Sequence, residues 1–547
     1  MTDVEFPTAP PARSTSIFGR ATKLLMQLGL VAVMLIALIY KPFELDRYFV
    51  PKELVLNGVA LIAGIMLFAH RRKVSLGFAD MALVVFLAWS AFSAVFATNF
   101  WLAQRALAIS VSSVLVFWGA RRIARGGGAR GLLVAAAVAT VIAAVSALLQ
   151  AYGFDSELFT LARAPGGTLG NRNFVAHVAA IGLPSLVWCT VTTRRSFGAL
   201  AGSIGFALVA AALVLSRSRA AWLALLAALV VLAFLLFASR RYWNREIVGG
   251  RLARLALAGA IGAILSVALP NGLHWNSDSP YLDSAREVVD YRKGSGGGRI
   301  AQYRNSLRMS AAHPVFGVAP GNWPVRYVQY APGGDKSLAE DGMTANPWPS
   351  SDWIAFISER GIIATLALVS VFAALFLGAM RGWNAEPDGD AVLLKITLAS
   401  TIAAAMVVSC FDAVLLLPAP AFLIWGILGA ASGGTSLGYF TRRREIDLSA
   451  KEWMIFASVT LLFATVSVVR SATATTAMTI VGRGGQTANW ALGATWDPGS
   501  YRLNARVAQL YENRGRCAKA VPFARRAVAL FPSSGPAKRL VRRCGKT

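Results

Sequence analysis

Apolar runs of roughly 18 to 23 residues, each long enough to cross about 30 Å of hydrocarbon as a helix, recur from Ala21 to about Ser467. We count about thirteen, over approximate spans 21–40, 53–69, 77–97, 105–120, 131–152, 174–193, 197–215, 220–238, 253–269, 353–380, 393–416, 418–437 and 452–469. The chain therefore reads as an all-α, polytopic membrane helical bundle. Composition agrees, since 56% hydrophobic and 15% charged residues lie far from the average soluble domain.

A formal charge of +27 raises the question of nucleic acid, but membrane proteins concentrate Lys and Arg in short cytoplasmic loops. The basic clusters His70-Arg71-Arg72-Lys73, Arg121-Arg122-Ile123-Ala124-Arg125, Arg194-Arg195, Arg240-Arg241 with Arg245, and Arg442-Arg443-Arg444 occupy every second loop. The N-terminus is therefore expected in the cytoplasm, the C-terminus in the periplasm of a bacterial inner membrane, and no nucleic-acid partner is expected. The Pro-rich opening "MTDVEFPTAPPARSTS" lacks a small-residue cleavage site and reads as a disordered cytoplasmic tail over 1–20. A transmembrane domain over 21–469 then carries one large periplasmic loop, about 270–352, and a periplasmic domain follows over 470–547.

In that last domain, "NARVAQLYENRGRCAKAVPFARRAVALFP" places Ala508, Tyr511, Gly515, Ala520, Ala524, Ala527 and Pro532 at tetratricopeptide-repeat offsets. A plain helical hairpin is the alternative. The following helix, "GPAKRLVRRC", should run back antiparallel and bring Cys544 to Cys517, so a disulfide is expected, which the periplasm permits. Cys189 and Cys410, inside apolar runs, read as packing residues.

The large loop contains "GGGRIAQYRNSLRMSAAHPVFGVAPGNWPVRYVQYAP", with Arg299, Arg304 and Arg308 spaced to lie near one face of a helix that ends before His313-Pro314. Here the chain resembles the O-antigen ligase and polymerase superfamily. The match runs through Arg299, Tyr303, Pro314, Gly317, Gly321, Asn322 and Trp323. "GGTLGNRNFVAHVAAIGLP", with Gly170, Asn171 and Asn173, and "LSRSRAAWLALL", with Arg219, extend it. The resemblance covers roughly Lys23 to Phe440.

The resemblance implies a type C glycosyltransferase fold and transfer of a glycan from undecaprenyl diphosphate to a lipid, glycan or protein acceptor at the periplasmic face. A diphosphate leaving group calls for fixed cations, and Arg binds phosphate oxygens as a bidentate fork. Arg217, Arg219 and Arg299, with Arg304 beside the last, are the donor-binding candidates, and Asn173 and Asn322 are candidate substrate contacts. The repeat suits docking of envelope polysaccharide assembly or export proteins. Only four His residues occur, at 70, 177, 274 and 313, and no His or carboxylate cluster has metal spacing, so neither a metal nor another cofactor is expected.

The family's last motif begins with a His that aligns or deprotonates the acceptor, and in "NPWPSSDWIAFISERGIIATLAL" that position is Ser350. A Ser cannot act as base near neutral pH. Three readings remain: Asp352 or His313 serves as base; the diphosphate leaves early and no strong base is needed; or the chain is catalytically degenerate, binding lipid-linked glycan or docking partners without transfer. Ser350, Ser351 and Asp352 also suit a helix N-cap. Glu359 is either half of a structural ion pair or a contact to donor or acceptor, and Asp412, near the outer end of the 393–416 span, is a further candidate. Ligase and polymerase stay unseparated, and a transporter is the rival of a different class.

Overall fold

The computed structural model describes residues 17–69, 73–275, 277, 279–289, 295–339, 343–437, 444–447 and 449–545. Most of the expected N-terminal tail, His70 to Arg72 of the first basic cluster, and Arg442 with Arg443 of the last lie outside those residues. Each of the thirteen apolar stretches is occupied by a helix. The first nine are α1 (Ile17–Leu35), α2 (Asp46–Phe68), α3 (Phe78–Ala94), α4 (Phe100–Ile123), α5 (Ala129–Ala151), α6 (Arg172–Thr192), α7 (Ser196–Ser216), α8 (Arg219–Ala238) and α9 (Arg245–Ala268). The large loop follows, carrying α10 (Pro280–Val289), α11 (Ser295–Ala312) and the single turn α12 (Trp323–Arg326). Then come α13 (Asp352–Ala379), α14 (Gly389–Phe411), α15 (Pro418–Gly433) and α16 (Ala450–Arg483). The tail consists of α17 (Thr487–Trp496), α18 (Tyr501–Glu512), α19 (Cys517–Leu530) and α20 (Gly535–Cys544).

Among the described residues, nine helical segments are long and apolar enough to cross a membrane; one of these, Phe100–Ala151, comprises α4 and α5 joined through Gly127 at φ 84°. Two further apolar helices, α3 and α15, are shorter. The chain is a multi-pass membrane protein. α15 is buried along Pro418–Ser432 and α6 along most of its length, which puts the core there. α9 and α16 instead expose Leu257, Ile261, Ile264, Met454, Val459 and Leu462, as helices facing hydrocarbon do.

Hydrogen bonds and ion pairs define two ends of the bundle. At one end, the strands β1 (Lys73–Leu76) and β2 (Arg444–Asp447) pair antiparallel. There the buried Arg121 meets Asp80 at 2.7 Å, and Lys395 meets Glu386 at 2.6 Å. At the other end, Arg47 Nη1 donates to the Glu157 carbonyl (2.8 Å), Gly272 N–H to Ala151 O (2.8 Å), and Asn99 N–H to Asn322 Oδ1 (2.7 Å). The loop and the tail both sit on this second end. α16 runs to Arg483, well past the 469 at which its hydropathy fades, and its polar turns find partners: Asn57 Nδ2 donates to Ser471 Oγ at 2.7 Å.

The tail packs as antiparallel helices, α18 on α19 and α19 on α20, around Ala508, Ala520, Ala524 and Leu540. A disulfide joins Cys517 and Cys544, whose Cα atoms are 4.9 Å apart. The small alanines let the helix axes approach. A second apolar cluster, of Val325, Met343, Tyr501, Ala527, Leu530 and Phe531, seals the tail onto the loop. Asn99 Nδ2 adds a hydrogen bond to the Leu530 carbonyl at 3.2 Å.

Candidate functional site

The large loop is locked to α13 by interlocking backbones. Ile362 N–H donates to Pro314 O and Val318 N–H to Ser358 O, both at 2.9 Å. The helix is broken at Gly361 (φ 76°, ψ −179°), a conformation essentially confined to glycine. A Cβ there would collide with the Val315 carbonyl, and one on Gly317 (φ 65°) with the backbone of Glu359. Glu359 completes the lock: Oε2 accepts from Gly321 N–H at 2.8 Å and Oε1 from Trp323 N–H at 3.3 Å. Arg360 points the other way, into the bundle. Its Nη1 donates to Ser110 Oγ (2.9 Å) and Ser90 Oγ (3.3 Å), and its guanidinium lies over the rings of Phe356 and Phe86.

Several expected site residues turn out to be fastenings. Asp352 is fully buried, and its carboxylate accepts from the backbone N–H groups of Val414 (2.9 Å), Leu415 (3.0 Å) and Leu416 (3.3 Å). A carboxylate so occupied holds the 414–416 backbone in place. Asn322, also fully buried, spends its amide on Asn99 N–H, Asn99 O and Pro320 O, and so fastens the loop to the start of α4. Ser351 caps α13, accepting from Ile354 N–H and donating to Ser409 O. Ser350 is tied to α11 by Gln302, which accepts from its N–H, and by the Tyr303 hydroxyl, which donates to its carbonyl and to Cys410 O.

His313 is exposed at the end of α11. Arg304 and Arg308 are exposed as well, whereas Arg299 is half-buried. Five residues turn a helix by about 140° beyond a full revolution, so Arg299 and Arg304 do not share the face first assigned to them. Cys410, expected as a packing residue, is exposed. Outside the membrane spans, burial pushes the Tyr327 hydroxyl up to about 12. Burial also opposes ionisation of Asp335, but hydrogen bonds from Ser337, Tyr327 and Asn305 outweigh it and hold that carboxyl low, which fixes the loop.

The arginines gather elsewhere. Arg217, the first of the two residues between α7 and α8, takes a left-handed backbone conformation (φ 53°), uncommon for a residue with a side chain. Its Nε donates to Ser284 Oγ at 2.9 Å, and its guanidinium lies 4.6 Å from the Trp275 ring centroid. Arg172, opening α6, lies 5.0 Å from the same centroid and within electrostatic reach of Arg217 and Arg163. Arg219, first residue of α8, and Asn173 are half-buried beside these two arginines in sequence. Five residues into α6 stands the buried His177, with Asp412 Oδ2 4.0 Å from its Nδ1 and Arg299 near enough to interact electrostatically.

Next to this cationic region is a cavity of about 190 Å³. α2, α4 and α16 form its walls, and the loop and the tail cover it. Glu53 and Arg105 pair across it at 2.7 Å, and Arg470 lies over the Trp101 ring. Burial raises the Asp497 carboxyl despite the Arg470 charge nearby. An aromatic row, Trp348, Phe49, Phe174 and His177, with ring centroids 5.1, 5.7 and 6.4 Å apart in turn, leads from the cavity wall to the imidazole. Among the described residues, no group of three or more His, Cys, Asp or Glu is arranged to hold a metal ion.

Arg172, His177 and Trp275 were not among the residues first singled out as candidates, whereas Asp412 was. Arg172 and His177 stand in the quoted stretch "GNRNFVAH", where four-residue spacing puts Asn173 and His177 on one helical face, the one signal available. Trp275 and Asp412 carry no motif.

The fold defines a polytopic membrane protein with arginines gathered at one end of its bundle. A family model described as O-antigen ligase matches residues 204–369, from within α7 through the loop and into α13. At the level of that family, the match supports glycan transfer of ligase or polymerase type. No curated protein matches the chain.

Proposed function

We propose that the chain transfers a glycan from an undecaprenyl-diphosphate-linked donor to an acceptor hydroxyl, as a ligase or polymerase of envelope polysaccharide, without a metal. In this reading it lies in a bacterial inner membrane with the tail, a tetratricopeptide-like module, in the periplasm. The observation that carries it is the meeting of Arg172 and Arg217, from two separate segments, over the Trp275 ring, with Arg299 within electrostatic reach of His177, about one and a half turns along the helix that Arg172 opens. Like charges repel, and a cluster of this kind favours an anion between them. Guanidinium forks match diphosphate oxygens and stabilise the charge that develops as the sugar departs.

The test uses the purified full chain, undecaprenyl-diphosphate-linked oligosaccharide and saccharide acceptors. Charged hydrogen bonds contribute about 1.5 to 3 kcal/mol each, so Arg217→Ala and Arg299→Ala should each lower transfer about ten- to hundredfold. Arg304→Ala, at an exposed position, should not. Equal product from all four chains would reject an arginine-held donor.

A further inference from the structure

We propose that Asp412, backed by His177, is the proton acceptor for the incoming hydroxyl. The inference rests on the glycan-transfer reading and adds to it the residue that activates the acceptor.

His177 is 1% exposed, and neither ring nitrogen has a hydrogen-bond partner. A buried imidazole with two unsatisfied polar atoms is costly, which asks for a use. Asp412 Oδ2 lies 4.0 Å from its Nδ1. Asp412 caps the end of α14. One oxygen accepts from Ala413 N–H at 2.9 Å, while the side chain keeps 12% of its surface exposed. Asp412 therefore has what Asp352 lacks, an oxygen with an open side.

The surroundings fit. Arg299 interacts with His177, and one turn further along α11 Tyr303 reaches both Ser350 O and Cys410 O, so Arg299, Ser350 and the 410–412 corner meet in one place. The position where a His was sought, Ser350, is thus linked through Tyr303 to the corner that carries Asp412, and Asp412 faces an imidazole brought in from α6. Around the pair, the charged groups are Arg299 from α11 and, across the amides of 414–416, Asp352 from α13.

In the step, the acceptor oxygen bonds to the anomeric carbon and its proton passes to Asp412. The carbon–oxygen bond to the diphosphate breaks, and its electron pair leaves with the diphosphate, facing Arg299. His177 does not touch substrate. It is a positioning residue that holds the carboxylate and shares the proton behind it.

The experiment measures transfer and undecaprenyl diphosphate binding for the full chain, Asp412→Asn and His177→Gln, each made separately so that misfolding of one leaves the other to decide. General-base catalysis is worth about 10² to 10⁴ in rate. Asp412→Asn should lose a factor in that range while binding undecaprenyl diphosphate as the native chain does. His177→Gln should lose less, and the acid limb of its pH–rate profile should move to lower pH, a change that a packing role would not produce. Transfer within threefold of native by both variants, with an unmoved pH profile, would overturn the proposal alone. A native chain that binds undecaprenyl diphosphate yet transfers nothing would overturn the glycan-transfer reading and this proposal with it.

Discussion

Asp352 and Asp412 flank the same short segment, 412–417, and differ in what their oxygens touch. Asp352 faces three successive backbone amides from inside the protein; Asp412 caps α14 beside an unpartnered imidazole. From sequence both are carboxylates at the ends of apolar runs, and nothing in their neighbours distinguishes fastening from chemistry. Asp352→Asn replaces one acceptor oxygen with a donor and leaves a buried amide unsatisfied, at a cost of about 1 to 3 kcal/mol. We expect a lower thermal midpoint in detergent with an unchanged transfer rate per folded molecule. A rate loss at unchanged midpoint would restore Asp352 as base. Arg360 makes the same point for cations: it is held by two hydroxyls and two aromatic rings, with the Glu359 carboxylate within electrostatic reach, so its charge has partners inside the bundle.

At the scale of elements, the thirteen apolar stretches are found as helices because length and apolarity are local properties that a bilayer reads directly. The exception is the far end of α16, where Thr and Ser turns continue the helix by bonding their own carbonyls and α2, which no hydropathy window registers. The break at Gly361 was equally hidden. It exists because the loop's Pro314–Val318 backbone crosses α13 at contact distance, a long-range demand on one residue. Gly361→Ala should cost about 1 to 3 kcal/mol in backbone strain alone, plus the collision with Val315. We expect faster hydrogen exchange at Val318 and Ile362; protection equal to native would mean that the crossing tolerates a methyl group.

For the whole molecule, the tail serves as a cover. Its apolar face is spent on Val325, Met343 and Leu102, and its exposed surface carries Arg525, Arg526, Lys538, Arg539, Arg542 and Arg543. Ending the chain at Ser500 should bare the loop and make residues 323–345 cleavable by protease in reconstituted membranes, while the rest of the bundle stays resistant. An uncut loop in the shortened chain would show that the cover is dispensable. Sequence suggested a helical module with a cystine, but where that module lands depends on side chains from α4 and the loop that meet it only in three dimensions.

The crossing of the loop over α13 also bears on how a very long substrate gets in. Two backbone hydrogen bonds, the Glu359 carboxylate and a pair of glycines bind that loop to a membrane helix, and the tail clasps it from above. A part fastened on two sides does not swing like a flap. For the polyprenyl-linked donor proposed above, the way in would then run along the flank of the bundle, the lipid tail staying in the bilayer while only the headgroup slides beneath the fixed roof.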